Sequence, residues 1–457
     1  MPVGLLLCVV GGLFGLRWWV YGYLRGEAFR RQLDEHASNA LHADGRFEPL
    51  QWQDSEVYTD AFDAVGGPGS PLAKLGAEQI RARLDLGALW HHAWRVDSIE
   101  LTKFSATLPS ERAAAASARR ELPADAQPPS ATTTPPEKNP GFLAGLLPNK
   151  FEIGEVRVND FSLAWNVDHP ADAGHLRGVV LKAHPLTADN RSWQIDGHDG
   201  QLAQAYFPAL RLTEFNVKTT PHEVFITRAE GQADVGGHLE LSGRQALDGD
   251  RALDLRVDFD GLPAGEFLPP DWRARLKGAA KGNVHVTNSI DQPGGGRAVG
   301  HVELHDGRLT ALPVLDQLAL FTASERLHSA ELQHAQADFD WNAGDLAVSH
   351  LLVESEGLIR TEGGFTVRAN RIDGTLQVGI ARSAVRWLPV VGARVFNLPE
   401  RDGYLWTTVH LSGPINHPSE DLTPRLLAAT QQEIIDKAKQ GAGTVIDTAK
   451  GLLDLLH

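Results

Sequence analysis

The chain is nearly without cysteine. In 457 residues it has one, Cys8 in the apolar N-terminal stretch, so the main body has no means of forming disulfides, CxxC redox pairs or cysteine-ligated zinc sites. An excess of positive charge is also missing. Lys and Arg number 43 against 58 Asp and Glu, a formal net charge of −15. Such a chain has no basic stripe to neutralise a phosphate backbone, which argues against a nucleic-acid partner. Phosphate loops and nucleophile elbows are absent as well. Gly66-Gly67-Pro68-Gly69 and Pro293-Gly294-Gly295-Gly296 lack the Lys-Ser/Thr pair, Gly441-Ala442-Gly443 follows no strand pattern, and GxSxG does not occur.

Histidine is plentiful, at 19 residues, but scattered rather than grouped at ligand spacing. In the stretch His301-Val-Glu-Leu-His305 two strand residues four apart are separated by about 13 Å, too far to share an ion. Asp196-Gly197-His198-Asp199-Gly200 holds two carboxylates and an imidazole, yet Gly and Asp are also the residues of a hairpin turn, and a turn is expected there. Asp254, Asp258 and Asp260 line one side of a strand with Arg256 among them, as on an ordinary wet face. These readings predict no catalytic residue, no cofactor and no metal.

Residues 3–24, VGLLLCVVGGLFGLRWWVYGYL, are long enough at about 1.5 Å per residue to cross a hydrocarbon core of about 30 Å. Trp18, Trp19, Tyr21 and Tyr23 suit a membrane interface, where Arg17 can snorkel. A single N-terminal transmembrane anchor is expected, with a cleaved signal peptide as the alternative. Arg17, Arg25, Arg30 and Arg31 follow the apolar core and no Lys or Arg precedes it, a bias that by itself would leave the body in the cytoplasm.

Beyond the anchor, residues 25–108 read as a polar helix followed by a β-rich module. Residues 109–140 are rich in Pro, Ala, Ser and Thr; they lack the apolar groups that offset ordering entropy and read as a disordered linker or a long loop. From 141 to 421 strand follows strand. The clearest is Leu253-Asp254-Leu255-Arg256-Val257-Asp258-Phe259-Asp260, whose strict alternation makes one face dry and the other wet. Roughly fifteen strands about 4.8 Å apart give a sheet of about 70 Å, which must twist or curl. At Asp306-Gly307 the alternation stops; a turn is expected there, then a short helix capped by Thr310 with Leu312, Leu315, Leu318 and Phe321 on its apolar face. A final amphipathic helix is expected over 422–457. The fold class is thus mainly β: a long, curved antiparallel sheet forming a groove, with a transmembrane helix, one inserted helix and a C-terminal helix.

The order of these parts carries a resemblance. The anchor leads into Tyr23-Leu-Arg-Gly-Glu-Ala-Phe-Arg30, followed by Phe47-Glu-Pro-Leu-Gln-Trp52, Ile80-Arg-Ala-Arg-Leu-Asp-Leu86 and Trp94-Arg-Val-Asp-Ser-Ile-Glu100. Later, Gly300 to Leu309 runs into Leu312-Pro-Val-Leu315, and Val409-His-Leu-Ser-Gly-Pro-Ile-Asn-His-Pro418 closes the strands. The chain resembles the AsmA-like family of bacterial envelope proteins, with residues from about 260 to 421 similar to its C-terminal region. The resemblance implies an inner-membrane anchor, a periplasmic body, and a β-groove that carries lipid in outer-membrane assembly.

The residues suggest the same mechanism. Moving a sixteen-carbon chain through water costs about 0.8 kcal/mol per CH₂, about 12 kcal/mol in all, and an apolar track removes most of that cost. Leu253, Leu255, Val257, Phe259, Val302, Leu304, Leu376, Val378 and Ile380 are the expected lining, and the helix of Leu312, Leu315, Leu318 and Phe321 the expected cover of its end. The expected partners are a membrane, phospholipid or another lipid, and envelope proteins. Two alternatives stay open: a scaffold whose apolar faces close on one another, and a β-rich hydrolase using Asp196 and Asp199.

Overall fold

The computed structural model describes residues 26–67, 70, 72–85, 87, 93–109, 150–169, 173–187, 189–204, 208–268, 273–288, 296–310, 319, 328–385 and 394–439. The expected anchor, residues 3–24, lies outside them, and among the described residues no helix is long and apolar enough to cross a membrane. The chain divides into two compact units, Met1–Asp234 and Val235–His457, and both are mainly β.

The first unit opens with helix α1 (Glu27–Leu41), followed by β1 (Ala43–Phe47), β2 (Gln51–Gln53), β3 (Glu56–Gly66), β4 (Lys74–Asp85), β5 (Ala93–Thr107) and β6 (Lys150–Trp165). Then come β7 (Gly174–Pro185), β8 (Trp193–His198), β9 (Gln201–Gln204), β10 (Leu210–Thr219) and β11 (Glu223–Ala233). Strands β1 and β2 both pair with one side of β3, and the sheet continues through β4, β5, β6 and β7. Next come β8 and β9, which share one position, and then β10 and β11.

Three expectations are corrected here. The sheet is mixed rather than antiparallel throughout, because β5 and β6 run parallel, from Ala93↔Lys150 to Thr107↔Ala164. A parallel pair needs a crossover connection, so the Pro-rich 109–140 segment joins two neighbouring strands of one sheet. It does not separate a module 25–108 from a body 141–421. The expected turn at Asp199-Gly200 is a break within one strand line: β7 and β10 flank β8 and β9 alike. Asp199 (φ 59°) and Gly200 (φ 104°) take left-handed conformations there without reversing the chain.

The parallel pair also explains how the sheet keeps its apolar side chains on one face. In β5 these are Val96, Ile99, Leu101 and Phe104; in β6 they are Ile153, Val156, Val158 and Phe161. A regular strand would place them two apart. Both strands instead step by three, two and three, and the register matches them one to one: Val96↔Ile153, Ile99↔Val156, Leu101↔Val158, Phe104↔Phe161. The irregularities are paired, so neither strand slips, and Phe104 stacks on Phe161 with ring centroids 5.7 Å apart. At the first irregularity Gly154 lies so close to β5 that a Cβ would sit 2.5 Å from the Asp97 carbonyl oxygen.

The second unit contains β12 (His238–Ala246), β13 (Leu253–Pro263), β14 (Leu276–Asn288), β15 (Arg297–Thr310), β16 (Ser329–Leu332) and β17 (His334–Asn342). It continues with β18 (Asp345–Ser355), β19 (Ile359–Arg368), β20 (Arg371–Ala381), β21 (Leu398–Arg401), β22 (Tyr404–Pro414), β23 (Ser419–Glu420) and α2 (Leu422–Lys439). Successive neighbours are antiparallel, with β16 and β17 sharing one position beside β15 and with β22 beside β20.

Asp306-Gly307 does not end β15, contrary to expectation. Asp306 takes φ 51°, the register against β14 shifts between Lys277 and Ala279, and the strand continues to Thr310, which pairs with Ser329. The Thr310 hydroxyl donates to the Ala274 carbonyl at 3.1 Å. Leu312, Leu315, Leu318 and Phe321 lie outside the described residues.

Helix α2 begins where expected, capped by the Glu420 carboxylate, which accepts from the Leu422 and Thr423 amides at 2.6 and 3.0 Å. Arg425 fixes it to β22 by donating to the Thr408 carbonyl at 2.7 Å.

Two substitutions probe these contacts. Gly154→Val forces a branched side chain against the Asp97 backbone and should destabilise the first unit by about 1–3 kcal/mol, measured as a lower urea midpoint. Leu422→Ala removes a side chain that is 1 % exposed and should cost about 2–5 kcal/mol, read in the same way.

Candidate functional site

Side chains from α1 and from β1 to β8 enclose a cavity of about 630 Å³, within the usual range for small-molecule sites. Its floor is the matched apolar set of β5 and β6. Leu75, Ala77, Ile80, Ala82 and Leu84 of β4 extend it on one side, and Leu181, Ala183, Trp193 and Ile195 of β7 and β8 on the other. At the β2 end Phe29, Leu33, Ala37 and Leu41 of α1 close over it, and Trp52 sits beneath them. Toward one end of these strands the floor is fully buried, as at Phe62, Leu75, Ala77, Leu101 and Val158. Farther along, Ile99, Ile153, Val156, Leu181, Ala183 and Ile195 are only half-buried. The cavity is an apolar trough with one covered end.

The opposite face of the same strands is a lattice of charge. Arg83 pairs with Glu56 at 2.7 Å, Lys103 with Glu78 at 3.5 Å, and Lys182 with Glu155 at 3.0 Å. Bonds from Lys182 and Arg157 hold the Glu155 carboxyl below its ordinary value. Such exposed pairs contribute little individually, but they keep that face in water and leave the apolar face for the trough.

None of the trough residues was among those expected from the sequence, which lie in the second unit. There Leu253, Leu255, Val257, Phe259, Val302 and Leu304 are half-buried and share an apolar face. One register row crosses nine strands: Leu241↔Val257↔Val284↔Gly300↔Phe339↔Val348↔Phe365↔Gly374↔Leu411. Every member of that row is half-buried. At Gly300 a Cβ would come within 2.8 Å of the Phe339 ring, and at Gly374 within 2.4 Å of the Phe365 Cβ.

Val378 and Ile380 are a correction. They are 7 % and 0 % exposed and belong to a closed core with Leu332, Leu358, Ile359, Val409, Leu422 and Leu426, against which Leu304 and Leu376 also pack. The cover is α2, so this end of the second unit is conventional packed interior.

The polar motifs lie on wet faces. Asp196 is on the side of β8 opposite Ile195 and accepts from Gln194 and Asn216, while Asp199 pairs with His198 at 2.9 Å in the open. His301 Nδ1 meets one Asp338 oxygen at 2.6 Å, and His350 Nδ1 meets the other at 2.8 Å. His301 Nε2 lies 3.3 Å from Glu303. Among the described residues no group of three His, Cys, Asp or Glu side chains has the geometry to hold a metal ion.

The chain was also compared with models of known families, with curated proteins and with solved structures, and it matches none of them.

The histidine cluster gives a signed pH effect. The bond to Asp338 raises the His301 pKa above 6.5, and bonds from His301 and His350 lower that of Asp338. The His301 contribution to stability is full below pH 6.5 and is lost as pH rises through its raised folded value. That of Asp338 is present above the ordinary carboxylate range and lost as pH falls through its depressed value. NMR titration should place the His301 midpoint above 6.5, and Asp338→Asn should bring it down.

Proposed function

We propose that this chain is a non-enzymatic, membrane-anchored envelope protein that binds lipid and passes it along apolar strand faces. The observation that carries the reading is the trough of the first unit, a ligand-sized space walled by hydrocarbon side chains and backed by a charged sheet face. A wall of this kind offers nothing to a polar substrate, whereas an acyl chain leaving water for it recovers about 0.8 kcal/mol per CH₂. The half-buried rows of the second unit are surface of the same chemistry. The apolar stretch 3–24, immediately before α1, would hold the trough at a membrane, and the resemblance in the order of parts favours the inner membrane with a periplasmic body. The groove then serves outer-membrane assembly by carrying phospholipid or a related acyl lipid.

The test is direct. The full chain, extracted and purified, should carry lipid that mass spectrometry identifies. Replacing two half-buried wall residues, in the double variant Ile99→Asp/Val156→Asp, should cut bound lipid at least tenfold, since each buried carboxylate opposes the tail. Lys103→Ser on the wet face should leave it unchanged. Wild-type protein without lipid, or a double variant as loaded as wild type, would overturn the reading.

A further inference from the structure

The covered end of the trough contains two polar atoms that the apolar chemistry does not explain. Trp52 Nε1 and Arg30 Nε are both buried, and neither has a hydrogen-bond partner among the described residues. Other tryptophans of the fold satisfy their N–H groups: Trp193 donates to the Asn190 carbonyl at 2.8 Å and Trp406 to the Arg401 carbonyl at 3.1 Å. A desolvated donor without an acceptor is costly and rare. Two at one place call for a reason.

Trp52 lines the trough where the N-terminal half of α1 meets it, and Arg30 stands on that half of the helix. Phe29 of α1 packs on Trp52, with ring centroids 5.9 Å apart, and Arg30 is the next residue. The helix is fastened at its other half, where Asp34 accepts from the Phe47 amide at 2.8 Å and Ser38 from the Gly45 amide at 3.0 Å. At the junction with β1, His42 takes a left-handed conformation, φ 50°. The helix is thus tied down at its C-terminal half, and its N-terminal half carries one unsatisfied donor, Arg30 Nε, and packs over the other, Trp52 Nε1.

We propose, building on the lipid reading above, that the N-terminal half of α1, which carries Arg30, is a lid over Trp52 and that these two side chains form a head-group site. The ligand class is an acyl chain ending in an anionic oxygen, a carboxylate or a phosphate. When the lid lifts, the indole N–H and the guanidinium gain the acceptor they lack in the closed state. The tail then runs from Trp52 across the trough toward Ile195, and a sixteen-carbon chain, about 20 Å when extended, crosses about four strand spacings of about 4.8 Å and ends over β6. The direction is fixed by chemistry: donors stand at the α1 end, and the walls beyond are hydrocarbon.

The test uses the full delipidated chain and three sixteen-carbon probes: hexadecanoate, 1-hexadecanoyl-lysophosphatidate and hexadecyltrimethylammonium, whose head accepts no hydrogen bond. Wild type should prefer the anionic probes by at least tenfold, against the repulsion of its own −15 charge; the tighter of the two identifies the head as carboxylate or phosphate. Trp52→Phe and Arg30→Met should each lower the affinity for the anionic probes by about tenfold, the worth of a hydrogen bond to a charged group, and leave the ammonium probe unchanged. The thermal midpoint of lipid-free Arg30→Met should not fall, because the change removes an unsatisfied group and keeps the apolar stem.

In wild type, a diazirine placed near the carboxylate should crosslink to α1 or β2, and one near the methyl end to β5 or β6. Equal affinity for all three probes, a lower midpoint in Arg30→Met, or crosslinks in the reverse order would overturn the head-group site while leaving the trough standing. Failure of every probe to bind would overturn the lipid reading itself.

Discussion

The structure depends on the segregation of side chains across each strand. Every ribbon presents hydrocarbon to one side and charge to the other, and cross-strand pairing places like beside like along the sheet. Hydrogen bonding alone would tolerate a slip of one residue; the burial of Leu101 and Val158 would not, since a slip would bring Glu100 and Arg157 onto the floor of the trough. The trough is therefore an outcome of the same segregation that fixes the register. The charged lattice outside, with pairs such as Arg297 and Asp340 at 2.6 Å, keeps the other face wet.

Segregation is readable in the sequence where alternation is strict. Leu253 to Asp260 spell out their strand, and β13 begins at Leu253. The polar helix after the apolar stretch and the start of α2 are legible for the same reason. The trough itself is not, because its strands break alternation. Val96, Ile99, Leu101 and Phe104 look irregular alone, and only the matching spacing of Ile153, Val156, Val158 and Phe161 reveals that two irregular strands fit each other. That shared spacing is a usable signal, but it becomes visible only when two segments far apart in the chain are aligned.

Asp-Gly misleads in an instructive way. At Asp199-Gly200 and again at Asp306-Gly307 the pair suggests a chain reversal, yet both sit inside strand lines that continue. Aspartate before glycine indicates that left-handed backbone is tolerated, and a bulge uses that tolerance as readily as a turn does. In both places the strand resumes directly, at Gln201-Leu202 and at Arg308-Leu309. The closed core around Ile380 escapes the sequence for a different reason. Alternation tells which side chains share a face, but whether a helix such as α2 lies over that face is a tertiary fact.

The nine-strand row of the second unit has a further implication. Each ribbon there is held mainly by the two beside it, so the array is close to one-dimensional, like the repeat proteins. Adding or deleting one hairpin changes its reach by about 9.6 Å and leaves both ends intact. Length is then a nearly free variable in the history of such a chain, adjustable in steps of two ribbons.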